Sequence, residues 1–408
     1  MSRPRVLMIA YGCDPHGGGE HWLGWGWAEQ AARTCEVDLV TTPRAREAIL
    51  TRGSELGITP HFVQTPTAVR VMSESLNVNW WRKLAWQKQV LRLASQLHAQ
   101  KRFQLVHQTT FHTFRVPFLA AGLGIPSVWG PIAGGERVPK SFEHYLGTAR
   151  HGEAARNIIN RLWLNFPSVR RSLEKATMIF TSNRVTKEFL PSRSHHKCRI
   201  VPPNALRPTD ETFTRPEARG QSADSTFKLL YVGNCVPTRA LPIAFDALQK
   251  SGMTNFQFSI IGDGPAIPAW RNRVFELNLQ TKVKFVGRVP HSELATWYAE
   301  SDLLVFPALR DSGGSALLEA MSRFVPVICL DWAGPGEMVD SNSGVKIPVQ
   351  DPQTTVSAFA TELKSLANDP QRRATLAQGG RDRALSLFRW ESKRKVLEET
   401  YQSLMEAK

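Results

Sequence analysis

The 408-residue sequence has few cysteines and no long apolar run, and each shortage excludes a class of protein. Its five cysteines are isolated and odd in number, so neither a CxxC pair nor a disulfide framework is expected. The longest uncharged run, 116–135, is interrupted by prolines and glycines, which argues against a membrane-spanning helix. No basic and apolar leader opens the sequence. We therefore expect a reduced, cytoplasmic protein.

Several signatures of cofactor and metal chemistry are also missing. No DxD motif occurs, and no His, Cys and Asp residues stand at metal-ligand spacing. The glycines between 17 and 26 form no GxGxxG motif, since Gly24 and Gly26 are followed by Glu at position 29, and no Walker loop, since no GK[ST] follows. We expect neither a bound metal nor a cofactor, so any reaction should be metal-independent.

Acidic residues are scarce in the first half of the chain. Residues 1–200 hold 27 basic and 13 acidic side chains, against 24 and 23 in the remainder. This surplus predicts an anionic partner, which could be an acidic membrane leaflet, a phosphorylated acceptor or nucleic acid, unless it is only a basic surface. Asn79–Arg102 and Asn157–Arg171 combine tryptophan with Lys and Arg, a pattern of interfacial helices and of a peripheral membrane protein. Helices that pack their apolar face on a sheet would give the same pattern.

Short apolar runs alternate with helical stretches along the whole chain, which predicts two doubly wound parallel α/β domains. The predicted strands are Arg5–Ala10, Glu36–Thr41, Leu105–His107, Ser127–Trp129, Met178–Thr181, Arg199–Val201, Lys228–Val232, Gln257–Ile261, Val283–Val286, Leu303–Phe306, Val327–Cys329 and Val345–Ile347. The proline-rich segment Pro202–Thr226 indicates a linker or exposed loop. We predict a first domain at 1–203, a second at 204–382, and a helical segment at 383–408 that packs back on the first. Ligands of such folds bind at the carboxyl ends of the strands, here in the crevice between the halves.

The most informative segment runs from Leu303 to Met321. A strand ends at Phe306, Asp311 follows, then two glycines, and a helix begins near Ser315. A glycine loop at a helix start lets backbone N–H groups approach a phosphate. Carboxylates such as Asp311 and Glu319 accept hydrogen bonds from sugar diols. The alternative is that Asp311 caps the helix and Glu319 is solvated.

This segment resembles the E-x7-E signature of family 4 glycosyltransferases, which are retaining enzymes of the GT-B fold. Further matching segments, mostly within 200–350, are Val201–Asn204, Leu230–Gly233, Ile260–Pro265, Val283–Gly287 with Leu294, Tyr298 and Asp302, Leu318–Met321, Val325–Ile328 and Gly334–Glu337. The resemblance implies two Rossmann-like domains, of which the second binds a nucleotide sugar. One departure is that Asp311 replaces the usual first glutamate.

The resemblance also implies roles for individual residues. Asp311 would hold the donor sugar hydroxyls, Glu319 the nucleotide ribose, and the backbone at Gly314 and Ser315 the diphosphate or sugar. The donor-site assignment further includes Gly287, Arg239 at the position of the family's diphosphate-binding lysine, and Asn234 where the family has an arginine. A departing diphosphate needs positive charge. The neutral Asn234 therefore implies that another basic residue substitutes, that the donor is unusual, or that catalysis is weak.

The first half contributes two further candidates. Gly17, Gly18 and Gly19 follow the first strand, where the family's glycine loop lies under the donor phosphates, although a tight turn would use the same residues. The segment Val128–Pro131 lacks the family's donor-contacting histidine, so His107 or His112 is expected to replace it. Of the two, His107 is the candidate catalytic residue.

These features predict a glycosyltransferase that moves a sugar from a UDP- or GDP-sugar to a carbohydrate or lipid-linked hydroxyl acceptor, in cell-envelope, exopolysaccharide or glycolipid assembly. The alternative is a non-catalytic nucleotide-sugar-binding or scaffold protein of the same fold, which Asn234 favours. Nucleic-acid binding is supported by charge alone, without an RNP-like motif. An epimerase of the same fold has no sequence support.

Overall fold

The computed structural model describes residues 3–66, 79–213 and 226–407, and its strands form two separate sheets. The chain divides into two compact units. The first holds Met1–Gly135, Asn157–Ala205 and Trp390–Lys408, and the second holds Glu136–Arg156 and Leu206–Arg389. Every paired strand runs parallel to its neighbours. The predicted α/β class with two parallel sheets is therefore confirmed.

The sheet of the first unit has the spatial order β3-β2-β1-β4-β5-β6-β7. Its strands are β1 (Arg5–Ala10), β2 (Glu36–Thr41), β3 (Thr59–Phe62), β4 (Leu105–Gln108), β5 (Ser127–Ile132), β6 (Met178–Thr181) and β7 (Cys198–Ile200). The strand β3 was not predicted, because Thr-Pro-His-Phe has neither an apolar run nor alternation. Pro60 lacks a backbone N–H, which an edge strand tolerates and a central strand does not.

The sheet of the second unit has the order β10-β9-β8-β11-β12-β13. Its strands are β8 (Phe227–Val232), β9 (Phe256–Ile261), β10 (Val283–Gly287), β11 (Leu303–Phe306), β12 (Val327–Leu330) and β13 (Val345–Ile347). The strand β8 lies beside β11 at the centre, where the strand order reverses. Ligands of open α/β sheets bind at the carboxyl ends of the strands at this switch point.

Helices cover the faces of both sheets. In the described residues they are α1 (Glu20–Ala32), α2 (Arg46–Leu56), α3 (Asn79–Lys101), α4 (Ala149–Leu164), α5 (Pro167–Lys175), α6 (Arg184–Phe189), α7 (Pro208–Glu211), α8 (Leu241–Ser251), α9 (Ile267–Glu276), α10 (Leu294–Ala299), α11 (Ser315–Ser322), α12 (Ala333–Met338), α13 (Pro352–Asn368), α14 (Pro370–Leu387) and α15 (Trp390–Glu406). No helix in these residues is long and apolar enough to cross a bilayer.

The C-terminal helix α15 belongs to the first unit, where it packs on α1. A Cβ atom at Gly26 would stand 1.9 Å from the ring of Trp390, so only glycine allows this close approach. The Trp390 ring also meets Trp27 edge-on at a centroid distance of 5.9 Å. Gly26, Trp22 and Trp27 of α1 therefore serve the packing of α15 on α1.

The unit boundaries differ from the predicted domain limits at one internal segment. Residues 136–156 fall in the second unit, because Phe142 and Leu146 are buried in its core and Tyr145 donates a hydrogen bond to Asp246 at 3.1 Å. The contact that decides the assignment joins residues about 100 positions apart, which no local pattern reports. The second unit also continues to Arg389 rather than 382.

The expected linker Pro202–Thr226 is packed over its described part, 202–213. Leu206 is fully buried, and Asp210 is 4% exposed and pairs with Arg323 at 2.6 Å. The prediction of an exposed loop is wrong here, because Pro208 begins the short helix α7, whose Asp210 is buried against Arg323. The remainder of the segment, 214–225, lies outside the described residues.

Candidate active site

Two loops at the carboxyl edge of the second sheet are held together by backbone hydrogen bonds. One follows β8 and contains Thr238 and Arg239, and the other follows β11 and contains Arg310 and Asp311. The carbonyl oxygen of Thr238 accepts from the N–H groups of Leu309 at 3.0 Å and Arg310 at 3.2 Å. The basic side chain of one loop is thereby fixed beside the acidic side chain of the other.

The Asp311 carboxylate uses both of its oxygens within the site. Its Oδ1 accepts from the N–H groups of Gly313 at 2.8 Å and Gly314 at 2.9 Å, and its Oδ2 pairs with Arg239 Nη1. The Arg239 guanidinium also lies 5.4 Å from the centroid of the Phe306 ring. The carboxylate therefore holds together a cation and the amide groups that precede the α11 N-terminus. A phosphate would use the same groups.

Glu319 lies on the second turn of α11, at the same edge of the sheet. Its Oε2 accepts a hydrogen bond at 3.0 Å from the hydroxyl of Tyr298, which is fully buried. Desolvation raises the pKa of Glu319, and burial together with the Glu319 charge raises the pKa of Tyr298 well above its usual value. The residue as a whole keeps partial solvent exposure, and Tyr298 fixes one oxygen of its carboxyl group.

Arg310 is a basic residue of the site that the sequence reasoning missed. It directly precedes Asp311, and its Nε stands 3.4 Å from Oε2 of Glu153, a side chain that is only 5% exposed. Arg156 shares this carboxylate at 3.2 Å. The neutral Asn234 was the available signal that a second cation was needed. Asn234 itself is exposed, and its carbonyl oxygen accepts from Tyr231 at 3.0 Å.

Glycines shape the neighbouring loops. A Cβ atom at Gly262, after β9, would stand 1.9 Å from the carbonyl oxygen of Gly233, so the two loops can meet only if this residue is glycine. Gly287 ends β10 and accepts from the N–H of Gly262 at 2.8 Å. Ser315 is exposed as the first residue of α11. The loops carrying Gly287 and Ser315 thus end at the edge that holds Asp311.

The predicted glycine loop of the first unit lies between β1 and α1. A side chain at Gly18 or Gly19 would meet no atom within 4 Å, so this backbone is open to its surroundings. A Cβ atom at Gly17 would stand 2.9 Å from the side chains of Asp14 and His21, and the Gly17 N–H closes a turn by donating to the carbonyl oxygen of Asp14 at 3.2 Å. Glu20, which directly follows Gly19, accepts a hydrogen bond at 2.9 Å from the backbone N–H of His112. His112 therefore lies beside the glycine loop.

His107 is a core residue and not a ligand-facing one. Its side chain is fully buried, with Nδ1 2.6 Å from the Tyr401 hydroxyl and Nε2 2.8 Å from the carbonyl oxygen of Gly130. Burial lowers its pKa to about 4. Both ring nitrogens are occupied, so the structure gives no support to the predicted catalytic role of His107. The sequence could not show this, because the partner Tyr401 lies 294 residues away.

Comparison with known proteins gives a family for the second unit. Residues 214–383 match the family model described as glycosyl transferases group 1. An uncharacterized glycosyltransferase of Methanocaldococcus jannaschii is 30% identical over 42% of this chain and 47% of its own length. An alpha-D-kanosaminyltransferase of Streptomyces kanamyceticus is 24% identical over 53% of this chain and 56% of its own. The matched region thus spans about half the length of these curated relatives.

A solved structure extends the likeness to the whole chain. The Anabaena protein HepE, described in complex with UDP and glucose, superposes with a TM-score of 0.59 over 98% of this chain and all of its own, at 15% identity. At that identity the likeness establishes the fold alone, which is GT-B. Within its second unit, residues 214–383 of this chain thus match the group 1 glycosyl transferases.

Proposed function

We propose that this protein is a retaining glycosyltransferase that moves a sugar from a UDP- or GDP-sugar to a hydroxyl acceptor. The observation that carries the proposal is the joint position of Arg239, Asp311 and Glu319 at the carboxyl edge of β8 and β11, inside the family-matched segment. The UDP and glucose named for the Anabaena structure make a UDP-sugar the first donor to test. The basic first half and the paired helices α3 and α4 support an acceptor of the cell envelope or of glycolipids.

Each part of the donor has a group suited to it. The Glu319 carboxylate, held by Tyr298, would accept hydrogen bonds from the ribose diol. Arg239 and Arg310 would supply the two cations for the diphosphate, with Arg310 replacing the charge absent at Asn234. Asp311 would accept from the donor sugar hydroxyls. Because Asp311 already holds Arg239 and two amide groups, a diphosphate that binds here must share these donors or displace the carboxylate.

The reaction forms one bond and breaks one at the anomeric carbon. The acceptor hydroxyl attacks that carbon from the face that the nucleoside diphosphate leaves, so the configuration is retained. The bond between the carbon and the phosphate oxygen breaks, and the diphosphate takes the acceptor proton. Arg239 and Arg310 stabilise the charge that develops on the leaving group. The glycine loop Gly17, Gly18 and Gly19 would lie against the donor phosphates, and the scheme uses no metal ion.

One observation favours the alternative of a non-catalytic nucleotide-sugar-binding protein. The position of the usual first cation is occupied by the exposed amide Asn234, and the second cation, Arg239, is engaged by Asp311. Weaker stabilisation of the leaving diphosphate would slow transfer while leaving binding intact.

The test compares binding and turnover in the same preparations. The unfolding midpoint and the release of nucleoside diphosphate are measured with UDP-, GDP- and ADP-sugars, for the wild type, for Asp311→Asn and for the control Asp382→Asn, whose side chain is exposed on α14. A ligand at 100 times its Kd stabilises by about 2.7 kcal/mol, which corresponds to roughly 5–10 °C.

Three outcomes separate the possibilities. A midpoint rise selective for one nucleotide, with diphosphate release that Asp311→Asn reduces at least tenfold and Asp382→Asn leaves unchanged, supports the proposal. Selective binding without release by the wild type supports the non-catalytic alternative. If no nucleotide raises the midpoint at millimolar concentration, the donor-site assignment is wrong.

A further inference from the structure

A cavity of about 390 Å³ lies in the first unit between α3, the segment after β4, and the second half of α4. Its walls include Trp80 and Leu84 from α3, Val116 and Pro117 from the segment after β4, and Ile159 and Trp163 from α4. The volume is within the range of about 300–1,000 Å³ that small-molecule sites occupy. The site takes no part in the donor chemistry described above.

The aromatic walls of this cavity are held rigidly. Trp80 meets Trp163 edge-on at a centroid distance of 5.1 Å, and Trp163 stacks on Phe166 at 5.4 Å. The indole N–H of Trp163 donates to the carbonyl oxygen of Arg115 at 2.7 Å. Because this polar atom is already satisfied, the rings present apolar surface to whatever enters the cavity. Aliphatic chains suit such walls.

One part of the wall is cationic. Lys83 and Arg115 line the cavity beside the apolar residues, and Lys83 lies 5.0 Å from the centroid of the Phe111 ring. Among the described residues, no carboxylate stands within ion-pair distance of the Lys83 ammonium. Burial and the like charges of Arg82 and Arg115 lower the pKa of Lys83, and only the charge of Glu20 opposes them. Positive charge concentrated beside an apolar cavity favours an anionic group on an apolar ligand.

The surface beside the cavity is apolar as well. Ile159 and Leu162 on α4 are 49% and 66% exposed, and Trp81 on α3 is 46% exposed. Leu162 lies one helical turn after the wall residue Ile159, and Trp81 stacks on the wall residue Trp80 at a centroid distance of 3.8 Å. An aliphatic chain longer than the cavity could therefore continue over apolar surface, and adjoining hydrophobic residues are typical of lipid-facing sites.

We propose that this cavity binds a lipid phosphate, with the hydrocarbon chain between Trp80, Ile159 and Trp163 and the phosphate at Lys83 and Arg115. The inference rests on the proposed function, because a carbohydrate carried on such a lipid phosphate would present the acceptor hydroxyl to the same enzyme. A neutral sugar acceptor would leave the apolar walls unused, and a free phosphate would not contact them. Binding itself requires no donor, so it is measurable even if transfer is not.

The test measures the Kd of farnesyl phosphate for the full-length protein by calorimetry, below its aggregation concentration. Farnesol lacks the phosphate and inorganic phosphate lacks the hydrocarbon chain, so the two ligands measure the contributions of the chain and of the charge separately. Two matched pairs of variants distinguish binding in the cavity from binding to the surface around it. Lys83→Gln is compared with Lys88→Gln, which is exposed on the same helix, and Ile159→Glu with Ile158→Glu, the neighbouring residue that does not line the cavity.

We expect saturable binding of farnesyl phosphate that weakens at least tenfold in Lys83→Gln and Ile159→Glu and less than twofold in the two controls. Farnesol should bind at least tenfold more weakly, and inorganic phosphate not at all. The nucleotide-induced midpoint rise should persist in all four variants, so a failed donor test and a failed lipid test remain distinguishable. An equal loss of farnesyl phosphate affinity in Lys88→Gln and Ile158→Glu would overturn the cavity proposal. Adsorption of the protein to anionic vesicles without saturable binding of farnesyl phosphate would also overturn it, in favour of nonspecific surface adsorption.

Discussion

The substitution Glu319→Gln should improve the stability of the protein while it damages nucleotide binding. Desolvation raises the pKa of Glu319, so the folded protein favours the protonated carboxyl. A group with a raised folded pKa contributes stability below its unfolded pKa and loses that contribution as the pH rises through the folded value. Glutamine is neutral at every pH, and its amide oxygen can still accept the Tyr298 hydroxyl. The variant therefore avoids the free-energy cost of burying an ionised carboxylate, which the wild type bears at neutral pH.

The same exchange removes the charge that would hold the ribose. A hydrogen bond to a charged acceptor contributes about 1.5–3 kcal/mol net, against about 0.5–1.5 for a neutral one. The loss of about 1–2 kcal/mol corresponds to a Kd that is roughly 5–30 times higher. Affinity and stability should thus change in opposite directions.

The assay measures the unfolding midpoint from pH 4 to 8, and the Kd of the preferred nucleoside diphosphate at pH 7. Glu300→Gln is the control, since Glu300 is exposed at the end of α10. The midpoint difference between Glu319→Gln and wild type should grow as the pH rises above the ordinary glutamate pKa of 4.5, and level off above the raised folded pKa. Wild-type affinity in Glu319→Gln, or a lower midpoint than wild type at neutral pH, would refute the reasoning.

Two further substitutions test the second cation and the core histidine. Arg310→Gln should weaken the binding of a nucleoside diphosphate about 3- to 10-fold, as the loss of about 0.7–1.4 kcal/mol requires, and leave the nucleoside unaffected; the exposed Arg288→Gln should change neither. Equal losses for both ligands would place Arg310 outside the diphosphate site. His107→Phe should retain nucleotide binding but lose roughly 2–6 kcal/mol of stability, because the Tyr401 hydroxyl and the Gly130 carbonyl lose their partner. The histidine pKa of about 4 also means that wild-type stability falls between pH 6.5 and 4, and this part of the acid dependence should be absent in His107→Phe, as pH-dependent melting would show.

Local pattern was sufficient for most of the fold. The run Leu303–Phe306 has the predicted bounds, because a strand buried on both faces is a continuous apolar segment that turn residues terminate. The edge strand Val345–Ile347 also has the predicted bounds, and there two buried apolar residues flank the partly exposed Lys346. The pattern failed at Thr59–Phe62, an edge strand that needs little burial, and at 202–213, where Pro208 starts a short helix whose Asp210 is buried against Arg323. Both depend on residues elsewhere in the chain.

The candidate site also has features that are local in sequence and features that depend on the fold. The spacing from Asp311 to Glu319 and the glycines between them are local, so sequence alone indicates a loop and helix start with two carboxylates. The pairing of Asp311 with Arg239 joins two strands that are adjacent only in the sheet. The contact between Arg310 and Glu153 crosses 157 positions of the chain. No spacing rule reports such pairs.

The amino-acid sequence by itself determined the α/β class, the positions of most strands along the chain and the resemblance of the second unit to a glycosyltransferase family, because apolar period, turn residues and motif spacing are properties of neighbouring positions. The tertiary structure alone showed that His107 is a core residue, that Glu153 holds Arg310, and that Trp80 and Trp163 enclose a cavity beside Lys83. Each of these depends on which distant side chains share a neighbourhood. Burial and ion pairing act through space, so their consequences emerge only once the chain is folded.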